Sequence, residues 1–104
     1  MITELEIERA LDFMRDNATK AAQAKANRIY MTEFRKVVKA QIMREFDSNP
    51  LGAQEAIAYA HNRYVEHLQA MRTAIEQDEY LTWMMAAAEA KISAWQTQSR
   101  NLRV

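Results

Sequence analysis

The sequence predicts an all-α protein, an antiparallel hairpin of long, coiled-coil-like helices, and three observations predict it. The chain has one Gly and one Pro among 104 residues, and those two residue types supply most turn and loop punctuation. Ala, Glu, Gln, Met, Arg and Lys, which lose little on entering a helix, are abundant. No segment alternates apolar and polar residues with period two through β-branched side chains, the mark of a half-buried strand. At this length the chain is expected to form one domain, residues 1–104.

The first element is a short helix over about residues 3–15. Thr3 followed by Glu6 reads as a capping box. Ile7, Leu11, Met14 and Ala18 form its apolar stripe, and Arg15-Asp16-Asn17 is a weak break. The second element, about 18–46, carries its stripe at Tyr30, Phe34, Val37, Val38 and Gln41. At about 100° per residue that stripe lies nearly opposite the first. The expectation is therefore a separate short N-terminal helix, or a kink near Asn17; the alternative is one long helix, continuous with the second element and buried on two sides.

The turn, 47–51, falls where the only Pro and only Gly stand together in DSNPLG (47–52). Asp47, Ser48 and Asn49 offer capping groups, and Pro50 suits a first helical position. A link this short makes its two flanking helices antiparallel neighbours. The third helix is expected over about 52–98, followed by a basic tail, 99–104. Its seam reads Ile57, His61, Tyr64, Leu68, Met71, Ala74, Asp78, Leu81, Met85, Ala88, Ile92, Trp95. Threes and fours alternate except for two successive threes ending at Ala74, a local overwinding. His61 and Asp78 are polar members of the seam, of the kind that fixes register at some cost in stability.

Residues 80–95, YLTWMMAAAEAKISAW, contain two charges. Beside the seam they carry a second stripe, Tyr80, Trp83, Ala87, Ala90 and Ala94, on the opposite side. A helix apolar nearly all round must be buried nearly all round. The first helix can cover one side, and another subunit is the natural cover for the rest. A homo-oligomer, most simply a dimer, is expected through Tyr80, Trp83, Met84, Ala87, Ala90 and Ala94. The alternative is a monomer in which helix one and a bent hairpin cover the whole face.

The formal charge is zero, yet the charges are sorted. Residues 1–17 sum to −3, residues 18–46 to +5, residues 47–90 to −5 and the last fourteen to +3. Lys25, Arg28, Arg35, Lys36 and Lys39 fall within about a third of the helix circumference, opposite Phe34 and Val38. Such a strip, with Arg100 and Arg103 of the tail, could follow a phosphate backbone over about 21 Å. No aromatic residue interleaves it as a base-stacking platform would, so contact with DNA would carry little sequence preference. The plainer reading is a solvated face, or one engaging acids of another subunit.

Other chemistry finds no pattern. The chain has no Cys, which excludes disulfides and thiolate metal sites. His61 and His67 are six residues apart on different helical faces, with no carboxylate at ligand spacing. One Gly cannot build a phosphate loop, and no Ser and His suggest an activated nucleophile. No cofactor, metal or enzymatic activity is expected. The acidic start, MITELEIERALDF, reads as no secretory leader, and no uncharged stretch reaches membrane-spanning length. No membrane association is expected.

TEFRKVVKAQIM (32–43), Tyr64 with Leu68 and Ala70 in the next helix, and the closing AWQTQSRNLRV resemble small helical proteins of tailed bacteriophages and prophages. The shared features are an RK-x-x-KA segment, a central break, a Tyr-bearing second helix and a Trp-x-Thr-x-Ser-like tail with Arg. They cover most of residues 20–103. Gln96 departs from the basic residue often found after the Trp. The resemblance implies a cytoplasmic protein of an infected bacterium, encoded near recombination and single-strand-binding genes. The expectation is a non-enzymatic, oligomeric accessory protein of DNA recombination or replication. The alternative is an oligomeric module that binds a phage or host protein and no DNA.

Overall fold

The computed structural model describes residues 1–102. Three helices follow one another: α1 Glu4–Glu45, α2 Leu51–Ala60 and α3 Asn62–Asn101. No strand occurs among the described residues. The all-α hairpin is as the composition predicts; the helix boundaries need two corrections.

α1 starts where its cap predicts. Thr3 Oγ1 accepts the Glu6 amide at 3.2 Å, and the Thr3 carbonyl takes the first helical bond, from Ile7. The helix then runs 42 residues through Arg15-Asp16-Asn17 without interruption, so there is no separate helix over 3–15. Asn17, a residue type whose side chain competes with the backbone at turns, here donates from Nδ2 to the Phe13 carbonyl at 2.9 Å. The two opposed stripes are also replaced by one. Ile7, Ala10, Met14, Asn17, Ala21, Ala24, Arg28, Met31, Arg35, Val38 and Ile42 are each buried or half-buried. They repeat three-four throughout, the signature of a single helix with one partner-facing seam. Leu11, Ala18, Tyr30, Val37 and Gln41 lie exposed.

The second correction is at His61. Instead of one helix over 52–98, the chain leaves helical geometry there, at φ −70° and ψ 141°. Its N–H still closes α2 on the Ala58 carbonyl. Its own carbonyl accepts from Tyr64 and Val65, and its ring Nδ1 accepts the Arg63 amide at 3.1 Å. His61 is thus the N-cap of α3. Beyond it the seam is as the sequence spacing predicts: every position from Tyr64 to Trp95 in that series is buried or half-buried. α3 passes through Met71–Ala74 unbroken and extends to Asn101, so the start of the expected tail is helical. Arg103 and Val104 lie outside the described residues.

Between α1 and α2, Pro50 is the N-cap of α2 rather than its first helical residue. Its carbonyl accepts the Gln54 amide at 2.9 Å. The side chains of Asp47, Ser48 and Asn49 do not cap α2. Gln54 reaches back instead, its Nε2 donating to the Asn49 carbonyl at 2.7 Å. Gly52 sits inside α2, and its φ is not positive, so the turn makes no use of its special freedom.

Packing divides the chain into two units. In Lys25–Gln77, α1 packs antiparallel on α2 and the start of α3. Val38, Ile42, Ala58 and Tyr64 form the core, with Phe34, Met43, Phe46 and Leu68 against it. His67 ties the pairing, Nε2–H donating to the Met31 carbonyl at 2.6 Å. In the unit made of Met1–Ala24 and the chain from Asp78 on, the helices are again antiparallel. There Gln98 brackets Ile2, accepting its amide at 3.2 Å and donating to its carbonyl at 3.0 Å. The buried apolar residues of this unit are Ile7, Ala10, Ala24, Leu81 and Ala88, mostly small. Its core is thin.

Candidate functional site

The basic strip is not assembled as expected. Its place opposite Phe34 and Val38 followed from a stripe of the wrong phase. With the true seam at Arg28, Met31, Arg35 and Val38, two of the five cations are half-buried on it. Arg28 is moreover engaged by a partner group.

Lys39 is held within the molecule as well. Its Nζ donates to the Tyr59 hydroxyl at 2.8 Å and stands 3.9 Å from Glu55 Oε1. The hydrogen bond to Tyr59, then the charges of Tyr59 and Glu55, hold its pKa above the ordinary value against some desolvation. The ammonium also lies 4.5 Å from the Tyr59 ring centroid, which is a secondary contact at that offset. Lys36 pairs with Glu33 at 3.3 Å, with both side chains mostly in water, a pair worth about 0–1 kcal/mol. Lys25 is exposed. Arg100 is exposed in the last turn of α3, and Arg103 lies outside the described residues. Among the described residues, Lys25, Lys36 and Arg100 are the expected cations that face outward, Lys36 paired with Glu33.

The second expected surface is present as an open face. Trp83 is 71% exposed, Tyr80 59% and Met84 38%, and Ala87, Ala90 and Ala94 are exposed beside them. Helix one therefore does not cover this face, and the alternative of a fully covered monomer is corrected. The reason is visible in the phases. The inner seam, Asp78, Leu81, Met85, Ala88, Ile92 and Trp95, already uses the side of α3 that meets α1. Tyr80, Trp83, Ala87, Ala90 and Ala94 repeat three-four-three-four on another side, over about 21 Å of helix. On its flank lies a shallow groove of about 290 Å³, with Phe13, Met84 and Ala87 in its lining and Glu6, Arg9 and Lys91 around it.

Spacing did not reveal three contacts that hold these surfaces in place: His67 on the Met31 carbonyl, Gln98 on Ile2, and Lys39 on Tyr59. Each joins residues remote in sequence, and two of them end on backbone atoms, which have no residue-type signal. Among the described residues no three of His, Asp and Glu gather as metal ligands. No described helix is long and apolar enough to cross a membrane. No protein-family model matches the chain, and no curated protein or solved structure is significantly similar to it.

Proposed function

We propose that this chain is a non-enzymatic interaction module whose working surface is the outer face of α3, Tyr80–Ala94. The observation that carries the reading is Trp83, 71% exposed on an apolar face that α1 leaves open. A Trp and a Tyr among small residues make a typical anchor set for protein association. Of the cations in the expected strip, Lys39 is engaged with Tyr59 and Glu55 and Lys36 pairs with Glu33, which weakens the strip as a competing surface. The resemblance to small phage proteins suggests the setting, a bacterial cytoplasm during infection.

The second reading is the accessory protein of DNA metabolism, binding phosphates. It is favoured by the net +5 of residues 18–46 and by the exposure of Lys25, Lys36 and Arg100. Anisotropy of labelled single- and double-stranded oligonucleotides, titrated at two salt concentrations, separates the two readings. The interaction module is expected to bind neither strand form at micromolar protein concentration. Micromolar binding that weakens steeply with salt, is lost in Lys25→Glu/Lys36→Glu and is unchanged in Trp83→Ala would replace it with the phosphate-contact reading.

A further inference from the structure

Resting on that reading, we infer that the occupant of the α3 face is a second copy of the chain, its α3 running antiparallel, with Ala87 on the two-fold axis. The argument is the size order along the stripe. The N-terminal half carries the bulky side chains, Tyr80, Trp83 and Met84; the C-terminal half carries Ala87, Ala90 and Ala94. An isologous antiparallel contact places residues equally far before and after the axis opposite one another. Tyr80 then meets Ala94 of the second copy, Met84 meets Ala90, Trp83 meets Lys91, and Ala87 meets Ala87. Tyr80 and Met84 each face an alanine, twice over by symmetry, as interdigitated packing requires, and the Trp83 indole faces the long stem of Lys91.

A parallel contact fails the same test. It sets Trp83 against Trp83 and leaves the alanines facing one another across a gap. Charge agrees with size: Lys91, the one charged residue beside the stripe between Tyr80 and Ala94 on this face, would meet its own copy in the parallel arrangement. In the antiparallel one it lies opposite Trp83, where its aliphatic stem packs on the indole and its ammonium reaches water.

Area agrees too. The chain exposes 7747 Å², about 1,700 Å² more than a folded monomer of its mass shows by the usual scaling. A standard interface covers about 800 Å² on each partner. The excess is ample for one such contact, and the thin core beneath the face marks where added burial matters.

The chain has no Cys, so single cysteines test the geometry on a clean background. Ala87→Cys is expected to form a disulfide-linked dimer under mild oxidation, because residues at the axis approach within disulfide reach. Ala94→Cys alone is expected to remain unlinked, its two copies lying about 21 Å apart along the helix. Tyr80→Cys/Ala94→Cys is expected to link. Light scattering of the unmodified protein at high micromolar concentration should give twice 12.1 kDa, and Trp83→Ala should give 12.1 kDa with its helical circular dichroism intact. A monomeric unmodified chain overturns the inference, as does self-linking of Ala94→Cys, an unlinked Ala87→Cys, or a Trp83→Ala dimer. Absence of self-association leaves the interaction-module reading standing, because that reading falls only on salt-dependent oligonucleotide binding.

Discussion

His61 and Lys39 show how single side chains take up roles that residue type alone does not announce. His61 ends α2 with its backbone and starts α3 with its ring, Nδ1 accepting the Arg63 amide at 3.1 Å, while Phe46 packs edge-on at 6.3 Å. Removing the acceptor strips α3 of its side-chain cap. His61→Ala is expected to lower stability by about 1 kcal/mol, and His61→Asp to recover most of that loss, because an acid at an N-cap also suits the helix dipole. Urea unfolding followed by circular dichroism measures both; equal losses in the two variants would show that the ring packing, not the cap, matters. Lys39 adds a pH dependence. Its folded-state pKa is raised above the ordinary 10.5 by the Tyr59 hydroxyl and the neighbouring negative charge. Its contribution is therefore fully present below pH 10.5 and lost as pH rises through the raised value. The melting temperature of the unmodified protein should exceed that of Lys39→Met in neutral solution, and the gap should close in strong alkali. A gap that persists there would assign the difference to packing of the lysine stem.

At the scale of elements, α2 and α1 show what the sequence made legible and what it hid. Gly52 reads as turn punctuation because Gly so often is, but the turn is made by residues 46–50 and Gly52 lies within α2. A Cβ built there meets nothing within 4 Å. Gly52→Ala is thus expected to raise stability by about 0.5 kcal/mol, read as a higher denaturation midpoint at unchanged slope. A loss would mean that Gly52 is needed for reaching the turn. The inner seam of α3 was legible position by position, since Leu, Met, Ile and Trp hold four of its six positions from Asp78 to Trp95. The seam of α1 was not, because Asn17, Arg28 and Arg35 occupy three of its positions and two of those are cations. Reading apolar residues alone shifted the phase, produced a break at Asn17, and turned seam arginines into part of an outward basic strip. One error in phase accounts for the expected break at Asn17 and for the misplaced strip, while the break at His61 is a separate matter of capping. The outer stripe of α3 escaped it because its members are apolar throughout, and its exposure in the structure agrees with its surplus over the seam.

For the molecule as a whole, stability and association are one quantity if the α3 faces pair. A dimer that unfolds to two separate chains is stabilised by mass action, so its melting temperature rises with protein concentration. A hundredfold increase is worth about 2.7 kcal/mol per dimer. With an unfolding entropy of about 2.1 cal/mol/K per residue, summed over two chains of this length, the rise is about 6 °C. Melting curves by circular dichroism across that range are expected to show it for the unmodified chain and to show a concentration-independent midpoint for Trp83→Ala. The variant separates two sources of stability. The unit around Val38, Ile42, Ala58 and Tyr64 has its own packed core, while the unit carrying Trp83 buries mostly alanines beside Ile7 and Leu81. Losing the dimer should therefore loosen the second unit first. Amide exchange in Trp83→Ala is expected to quicken across α3 from Asp78 onward and in the first half of α1, while the amides around Ile42 and Ala58 keep their protection. Uniform loss across both units would instead make the hairpin a single cooperative body, with the partner's contribution felt equally at the turn.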